Sequence, residues 1–295
     1  MSEPLVLEVN PTRPPMKLHV IHRTRYEYPA AVIESFNETR LQPTSADGQI
    51  CHSFLLKVLP STRLSHYLDF YLNCVHFFEI PEPHTSLSIE SSAIVTTSSH
   101  VLPPGQLTVP MSRLRECLAM EQCYDFLQSS KYVEMDSAVW RLAVDATMGE
   151  EDAWQAAVKV MQFIRDEFEY EPESTTVHTP IAEAIAKRKG VCQDFTHVML
   201  GMCRSLKIPA RYVSGYLYNG PLDELEGAQA SHAWCEVYIP DFGWRALDPT
   251  NDQQADERYV KVAVGRDYGD IVPVQGTYRG AGTKKMSVEV NVTLA

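Results

Sequence analysis

The sequence predicts an α+β protein in which an N-terminal antiparallel β-sandwich precedes a domain with a helical half and an antiparallel β half. Three observations lead to this fold class. Short alternating segments separated by turn residues fill the first third of the chain, helical periodicity follows, and strand patterns return towards the end. At 295 residues, the chain has the length of about two domains.

The N-terminal segments alternate apolar and polar residues with the period of two that is typical of strands. Turn residues lie between them and no helical segment intervenes, which favours a sandwich. The predicted strands are Lys17–His22, Phe54–Leu59, Val75–Ile80 and Ser86–Glu90. Pro103-Pro104-Gly105 then marks a boundary, so we divide the chain into residues 1–105, the β-sandwich domain, and residues 106–295, the core.

From about residue 113 to 189 the pattern is helical. Thr179-Pro180 predicts a helix start, Gly190 predicts its end, and a second helix is expected from about Cys192 to Leu206. One apolar helical face is formed by Trp154, Ala157, Val158, Met161, Ile164 and Phe168.

Strand patterns return after Pro209, and the acidic stretch Asp223–Ala230 is predicted to be a surface loop. The turn Pro240-Asp241-Phe242-Gly243 joins two of these strands into a hairpin. The predicted strands are Ala210–Tyr218, His232–Ile239, Trp244–Leu247, Tyr259–Val264 and Ser287–Leu294.

Composition excludes several classes of protein. The net charge of −12 opposes nonspecific binding to nucleic acids or anionic membranes. No apolar run reaches the roughly 20 residues of a membrane helix, and Met1–Glu8 lacks the basic start of a signal peptide. Seven scattered cysteines without a Cys-x-x-Cys pair indicate neither a disulfide framework nor a zinc ribbon. We therefore expect a cytoplasmic protein with no nucleic-acid or membrane partner; its oligomeric state stays open.

Cys192, His232 and Asp248 form the candidate catalytic constellation. A cysteine in the first turn of a helix meets unpaired backbone N–H groups, which favour the thiolate form. His232 is then the proton carrier, and Asp248 the carboxylate that orients its ring. If Ile239 faces Gly243 in the hairpin, His232 and Asp248 lie diagonally on the same face, whereas a four-residue loop would turn Asp248 away.

Each of these residues also has a simpler explanation. A lone helix-start cysteine is usually packing, a strand histidine is usually structural, and an aspartate before proline usually forms a turn. Cys192, His232 and a carboxylate are also compatible with a zinc site, although no other ligand pattern favours one, and no metal is expected. The order of the three residues and their flanking sequences together favour nucleophilic catalysis.

Other residues are candidates for supporting roles. The backbone N–H of Cys192 can stabilise an oxyanion, and Gln193 and Tyr170 are candidates for the second donor. Trp234, Arg266 and Tyr268 are candidates for the substrate cleft, with core packing for Trp234 and a surface turn for Arg266 and Tyr268 as the alternatives.

These motifs resemble the transglutaminase-like superfamily, whose fold is related to that of papain. The matching segments are Arg188–Phe195, Ile208–Tyr216, His232–Val237 and Gly243–Thr250. The resemblance implies a papain-like core, with Cys192 as nucleophile and His232 and Asp248 completing the triad. Further segments are similar to the bacterial branch with an N-terminal β domain: His22–Tyr28, Asn37–Leu41 and Gly265–Tyr268. One departure is Leu72, where that branch usually has a glycine before the asparagine.

The resemblance leaves the reaction open. Relatives cross-link amides, cleave peptides, deamidate side chains or lack the triad altogether. The favoured expectation is thiol-dependent hydrolysis of a peptide or isopeptide, as in a cysteine peptidase, with a peptide or protein substrate and no cofactor. The alternatives are acyl transfer to an amine on the same triad and a noncatalytic binding module on the same fold.

Overall fold

A computed structural model describes residues 13–99, 101, 105–172, 174–220, 231–280 and 282–295. The predicted loop Asp223–Ala230 and the boundary prolines Pro103 and Pro104 lie outside these residues. In the described part of the chain, no helix is both long and apolar enough to cross a membrane. The α+β prediction with mainly antiparallel strands is confirmed.

The strands are β1 (Met16–Thr39), β2 (Gln49–Leu59), β3 (Ser65–Leu68), β4 (Cys74–Ile80), β5 (His84–Thr97), β6 (Glu169–Tyr170), β7 (Lys189–Gly190), β8 (Ala210–Leu217), β9 (His232–Ile239), β10 (Gly243–Asp248), β11 (Gln253–Gln254), β12 (Tyr259–Gly265), β13 (Val274–Arg279) and β14 (Lys285–Leu294). The α-helices are α1 (Glu121–Tyr124), α2 (Ser137–Ala146), α3 (Ala153–Glu167), α4 (Ile181–Lys187) and α5 (Cys192–Ser205). Short 3-10 helices cover Met111–Ala119, Asp125–Leu127 and Tyr268–Asp270.

The predicted N-terminal sandwich takes the form of one curled sheet organised around the long strand β1. The first half of β1 pairs with β5 and β14, and the second half pairs with β4 and β13. The pairing with β5 shifts between Glu27 and Val32, where the strand passes from one half to the other. Because β1 belongs to both halves, the apolar side chains inside the curl form a shared core.

The C-terminal end of the chain joins this N-terminal sheet. Leu18 faces Leu294 and Glu27 faces Lys285 along the β1–β14 ladder, while Thr39 faces Val274 on β13. The division at residue 105 assigned both strands to the core, but their hydrogen bonds go to β1. A local strand pattern predicts a strand and does not identify its partner.

The core packs its helices around α5. Every residue from Cys192 to Arg204 is buried, and α5 contacts α2, α3 and α4 as well as β8 and β9. At its C-terminal end, the buried Arg204 guanidinium donates to the carbonyl oxygens of Ala210 at 2.9 Å and Gln128 at 3.1 Å. A helix buried on all sides holds its first residue in a fixed position, and that residue is Cys192.

The β half of the core is a five-stranded antiparallel sheet in the order β11-β10-β9-β8-β12. A side chain of the N-terminal half forms hydrogen bonds with the backbone of this core sheet. Asn73 donates to the Val264 carbonyl and accepts from the Val264 N–H, both at 2.8 Å. The preceding Leu72 has a φ of 64°, which explains why a glycine is usual there. The turn at Leu72 thus places the Asn73 side chain against β12.

Gly215 on β8 is required by close packing within the core sheet. A Cβ at this position would lie 2.0 Å from the Val260 carbonyl oxygen and 2.5 Å from Cη2 of Trp234. We expect Gly215→Ala to lower the free energy of unfolding by about 3 kcal/mol, because a backbone oxygen cannot move aside without shifting β12. Urea denaturation measures the change. Ser86→Ala, on an exposed strand position, serves as the control, and equal stability of the two variants would contradict this account.

Candidate active site

Cys192 is placed by a helix start that depends on Asp194. The Asp194 carboxylate accepts hydrogen bonds from the Val191 N–H at 2.9 Å and from the Thr175 hydroxyl at 2.6 Å. It thereby satisfies a donor just before the helix, so that α5 begins at Cys192. A Cβ on Gly190 would lie 2.7 Å from Cβ of Asp194, so the glycine makes room for this cap.

The predicted roles of Gly190 and Thr179 in helix α4 are wrong. The helix ends at Lys187, and the left-handed residue that follows is Arg188, with a φ of 53°. Gly190 instead lies in β7, where it pairs in parallel with Tyr170 of β6. The N-cap residue of α4 is Pro180, and the Thr179 hydroxyl accepts a hydrogen bond from the Thr176 N–H.

The hairpin of β9 and β10 has the register that the site requires. Gly243 faces Ile239 and Leu247 faces Cys235, so the three-residue loop is confirmed. Asp248 therefore lies on the face of the sheet that carries His232. The Nε2–H of His232 donates to Oδ2 of Asp248 at 2.8 Å, and both side chains are completely buried.

Asp248 is held as a carboxylate by further donors that the sequence analysis missed. Oδ2 also accepts from the Tyr259 hydroxyl at 2.7 Å and from Asn251 Nδ2 at 2.8 Å, and Oδ1 accepts from the Thr250 N–H at 2.9 Å. Burial alone would raise the pKa of Asp248, but the charge and hydrogen bond of His232, helped by Asn251 and Tyr259, lower it. The carboxylate is thus ionised and fixed in orientation.

Cys192 and His232 share one pocket of about 230 Å³. Burial lowers the pKa of His232, but Asp248 and then Cys192 outweigh it and raise the pKa to about 10. Nδ1 of His232 is buried and has no hydrogen-bond partner among the described residues. The ring is therefore fixed through one nitrogen, while the other remains available for proton transfer beside the sulfur.

The two oxyanion candidates both line this pocket. The side-chain amide of Gln193 donates to the Val177 carbonyl at 3.1 Å, which occupies one of its two N–H groups. Tyr170 packs edge-on against Phe195. The N–H of Cys192, at the first residue of α5, has no intrahelical acceptor, and Cys192 lines the same pocket. The oxyanion role of each candidate remains a prediction.

The three cleft candidates have different positions. Tyr268 lines the pocket, and its N–H donates to Nε2 of His197 at 3.2 Å. Arg266 does not line it, because its guanidinium is held by Asp270 at 2.8 Å. Trp234 is buried behind His232, with 1% of its surface exposed and its ring centroid 6.1 Å from the imidazole. Of the three, Tyr268 is therefore the one that can contact a substrate in this pocket.

Tyr212 is a pocket residue that the sequence analysis did not select. Burial, followed by the neighbouring Cys192, raises the pKa of Tyr212 well above its ordinary value, so its hydroxyl stays protonated. The alternation of β8 was the available signal, since Tyr212 and Ser214 share the face that lines the pocket. Among the described residues, no group of three or more His, Cys, Asp or Glu side chains is arranged to hold a metal ion.

Two regions of the chain match known families. Residues 18–96 match the bacterial transglutaminase-like N-terminal region, and residues 141–249 match the transglutaminase-like superfamily. Over 280 residues the chain is 34% identical to the uncharacterized protein ML0607 of Mycobacterium leprae, covering 94% of this chain and 98% of that protein. The relationship therefore extends over both halves of the molecule.

Two further comparisons concern proteins whose names refer to an activity. A shorter region of 103 residues is 34% identical to a protein-glutamine gamma-glutamyltransferase of Pseudomonas aeruginosa, covering 31% of this chain and 15% of that protein. The crystal structure of a candidate cysteine protease from Cytophaga hutchinsonii has the same fold, with a TM-score of 0.80. The two chains are 23% identical, and the alignment covers 96% of this chain and 91% of the other.

Proposed function

Because this chain belongs to the transglutaminase-like superfamily, we propose that it hydrolyses an amide bond of a peptide or isopeptide through a thioester on Cys192. One observation carries the proposal. Cys192 and His232 line the same pocket, Nδ1 of His232 has no hydrogen-bond partner among the described residues, and Nε2 is bonded to a buried carboxylate. This arrangement supports Cys192 as the nucleophile, His232 as the proton carrier and Asp248 as the orienting acid of an acyl transfer.

In the first step, the Cys192 sulfur, as the thiolate that has given its proton to Nδ1 of His232, attacks the carbonyl carbon and forms a C–S bond. The carbonyl oxygen becomes an oxyanion, which the N–H of Cys192 can stabilise at the helix start. When the C–N bond breaks, Nδ1 of His232 gives its proton to the departing amine. Asp248 stabilises the imidazolium before this transfer through its hydrogen bond to Nε2.

In the second step, water attacks the thioester carbon. Nδ1 of His232 takes a proton from this water, the C–S bond breaks, and the acyl group leaves as a carboxylic acid. Cys192 keeps 9% of its surface exposed, so solvent can approach the intermediate from the pocket. This access supports water as the acceptor, and it is also what the cysteine protease description of the structural neighbour would imply.

Acyl transfer to a primary amine is the second candidate function. It is favoured by the similarity to a protein-glutamine gamma-glutamyltransferase, which extends over 103 residues of this chain. The first step is the same, and an amine replaces water in the second. The difference between the two reactions therefore lies in the acceptor.

The fate of the thioester tests the proposal. A defined set of peptides and γ-glutamyl-lysine isopeptides is incubated in ¹⁸O-labelled water, with and without excess putrescine, and the products are identified by mass spectrometry. We expect a new carboxylate that contains one ¹⁸O atom, and acid quenching during turnover should trap an acyl adduct on Cys192.

A second tube without enzyme controls for spontaneous hydrolysis. Putrescine amides as the main product would replace hydrolysis by acyl transfer. If neither product nor adduct forms on any substrate, the result favours a noncatalytic binding module.

A further inference from the structure

The pocket of Cys192 and His232 is also lined by Tyr212, whose hydroxyl takes no part in the proton transfers of the triad. Tyr212 lies on β8 and faces Cys235 across the β8–β9 ladder. Only 2% of the residue is exposed. Because the pocket holds only about 230 Å³, a side chain that lines it lies near the reacting atoms of a bound substrate.

The ring of Tyr212 is held between two neighbouring rings. The ring centroid of His197, on α5, is 5.2 Å away, and that of Tyr268 is 6.5 Å away in an edge-on arrangement. His197 is itself stacked on Tyr132 at 5.7 Å, and its Nε2 accepts the Tyr268 N–H at 3.2 Å. These contacts fix the ring before a substrate binds, which is what an oxyanion donor requires.

The hydroxyl of Tyr212 is open to the pocket and close to the sulfur. No hydrogen bond joins it to another residue in the described part of the chain, and its oxygen is not one of the enclosed polar atoms that lack a partner. Burial raises the pKa of Tyr212, and among the ionisable neighbours Cys192 contributes most to this rise. The hydroxyl is therefore a neutral donor near Cys192, with its proton available to an acceptor in the pocket.

Other polar side chains of the pocket are less suited to meet an oxyanion. One of the two amide N–H groups of Gln193 already donates to a backbone carbonyl at 3.1 Å. After burial, the group that raises the pKa of Tyr268 is Tyr132, so this hydroxyl lies nearer to Tyr132 than to the sulfur. Ser214 shares the face of Tyr212, but its hydroxyl is one bond beyond Cβ and stays close to the sheet. Tyr212 is the longer side chain of the two.

We propose that the hydroxyl of Tyr212 is the second donor to the oxyanion, together with the backbone N–H of Cys192. As the C–S bond forms, an electron pair of the carbonyl double bond moves onto the oxygen, which accepts hydrogen bonds from both donors while each donor keeps its proton. When the double bond re-forms, the C–N bond breaks and the amine takes its proton from His232. This inference rests on the proposed thioester chemistry, and it applies to water and amine acceptors alike, since both reactions share the first step.

Tyr212→Phe tests this role, because it removes the hydroxyl and keeps the ring between His197 and Tyr268. For a peptide that the native chain cleaves, we expect kcat to fall by about 10²–10³-fold with KM changed by less than about threefold, as for the loss of one oxyanion donor in another protease. Alkylation of Cys192 by iodoacetamide displaces iodide and develops no oxyanion. Its rate should therefore stay within about twofold of the native rate, since it reports the thiolate alone.

Tyr216→Phe is the matched control. Tyr216 is a buried tyrosine of the same strand, and its hydroxyl hydrogen-bonds His22 at 3.1 Å and does not line the pocket. This variant should keep the native kcat/KM. A crystal structure of the native chain with the aldehyde analogue of the cleaved peptide on Cys192 adds a measurement that needs no variant to fold. The hemithioacetal oxygen should lie within about 3.1 Å of the Tyr212 hydroxyl.

The assignment is overturned if Tyr212→Phe keeps the native kcat, or if the loss of kcat appears in Tyr170→Phe or Gln193→Ala instead. It is also overturned if Tyr212→Phe slows alkylation as much as hydrolysis, because Tyr212 would then act on the thiolate. A hemithioacetal oxygen out of reach of the hydroxyl has the same consequence. If the native chain cleaves peptides and Tyr212→Phe cleaves them equally fast, only this assignment fails; if the native chain forms no thioester, the proposed function fails with it.

Discussion

Replacing Cys192 with alanine is expected to reduce amide hydrolysis to background, a loss of about 10⁶-fold in kcat, comparable to the removal of other protease nucleophiles. Without the sulfur atom no thioester can form, and His232 has no nucleophile beside its free nitrogen. The measurement is the rate of product release from a peptide that the native chain cleaves. The substitution removes one small, pocket-facing atom, so circular dichroism should show an unchanged fold.

The matched control is Cys51→Ala, which changes a half-buried cysteine on β2 of the N-terminal sheet and should retain activity. A limiting amount of iodoacetamide adds an independent measurement. The alkylated peptide should contain Cys192 in the native chain, and labelling should disappear in Cys192→Ala. Uniformly slow labelling of all seven cysteines, together with activity that persists in Cys192→Ala, would contradict the proposed mechanism.

The central geometry of the site could be predicted from local patterns. The three-residue loop between Ile239 and Gly243 sets the hairpin register, and side chains alternate across a strand. His232 and Asp248 had to share a face once that register was chosen. The start of α5 at Cys192 could also be predicted from the local sequence. The role of Gly190 differs from the predicted one, because this glycine makes room for the Asp194 cap.

Other parts of the site depend on contacts that local patterns do not contain. Tyr259 reaches Asp248 from β12, which is at the opposite edge of the sheet from β10 and β11. Trp234 has the strand position of a cleft residue, but its ring packs against His232 and Tyr259. The sequence alone does not show whether Arg266 has an acidic partner. In the fold, its guanidinium forms an ion pair with Asp270. Tertiary packing, rather than residue type, decides each case.

Local patterns also fail to identify the partners of whole strands. Residues 285–294 have a clear strand pattern, and a strand is present there. Their partner, β1, lies at the other end of the sequence, so that the two ends of the chain form one ladder. Pairing over such a separation is determined by the complete fold, whereas the three-residue hairpin is determined by its own loop.

Replacing Asp248 with asparagine is expected to lower kcat/KM by about 10⁴-fold while Cys192 stays in place. Asparagine cannot supply the negative charge that stabilises the imidazolium, and its amide can favour the wrong tautomer of His232. A second effect should separate this role from a structural one. Asp248 is the main group that raises the pKa of His232 to about 10, so the substitution should lower that pKa.

The sign of the pH effect follows from the proton that His232 must carry. In the native chain, activity should be lost as the pH rises through about 10, because the imidazolium then loses the proton that the departing amine needs. In Asp248→Asn, this alkaline limb should move to lower pH. Asp136→Asn, at the N-cap of α2, controls for a carboxylate-to-amide change outside the site and should leave the profile of kcat/KM against pH unchanged. A normal rate in Asp248→Asn, with the alkaline limb unmoved, would mean that Asp248 acts as a turn residue and that His232 is oriented by another group.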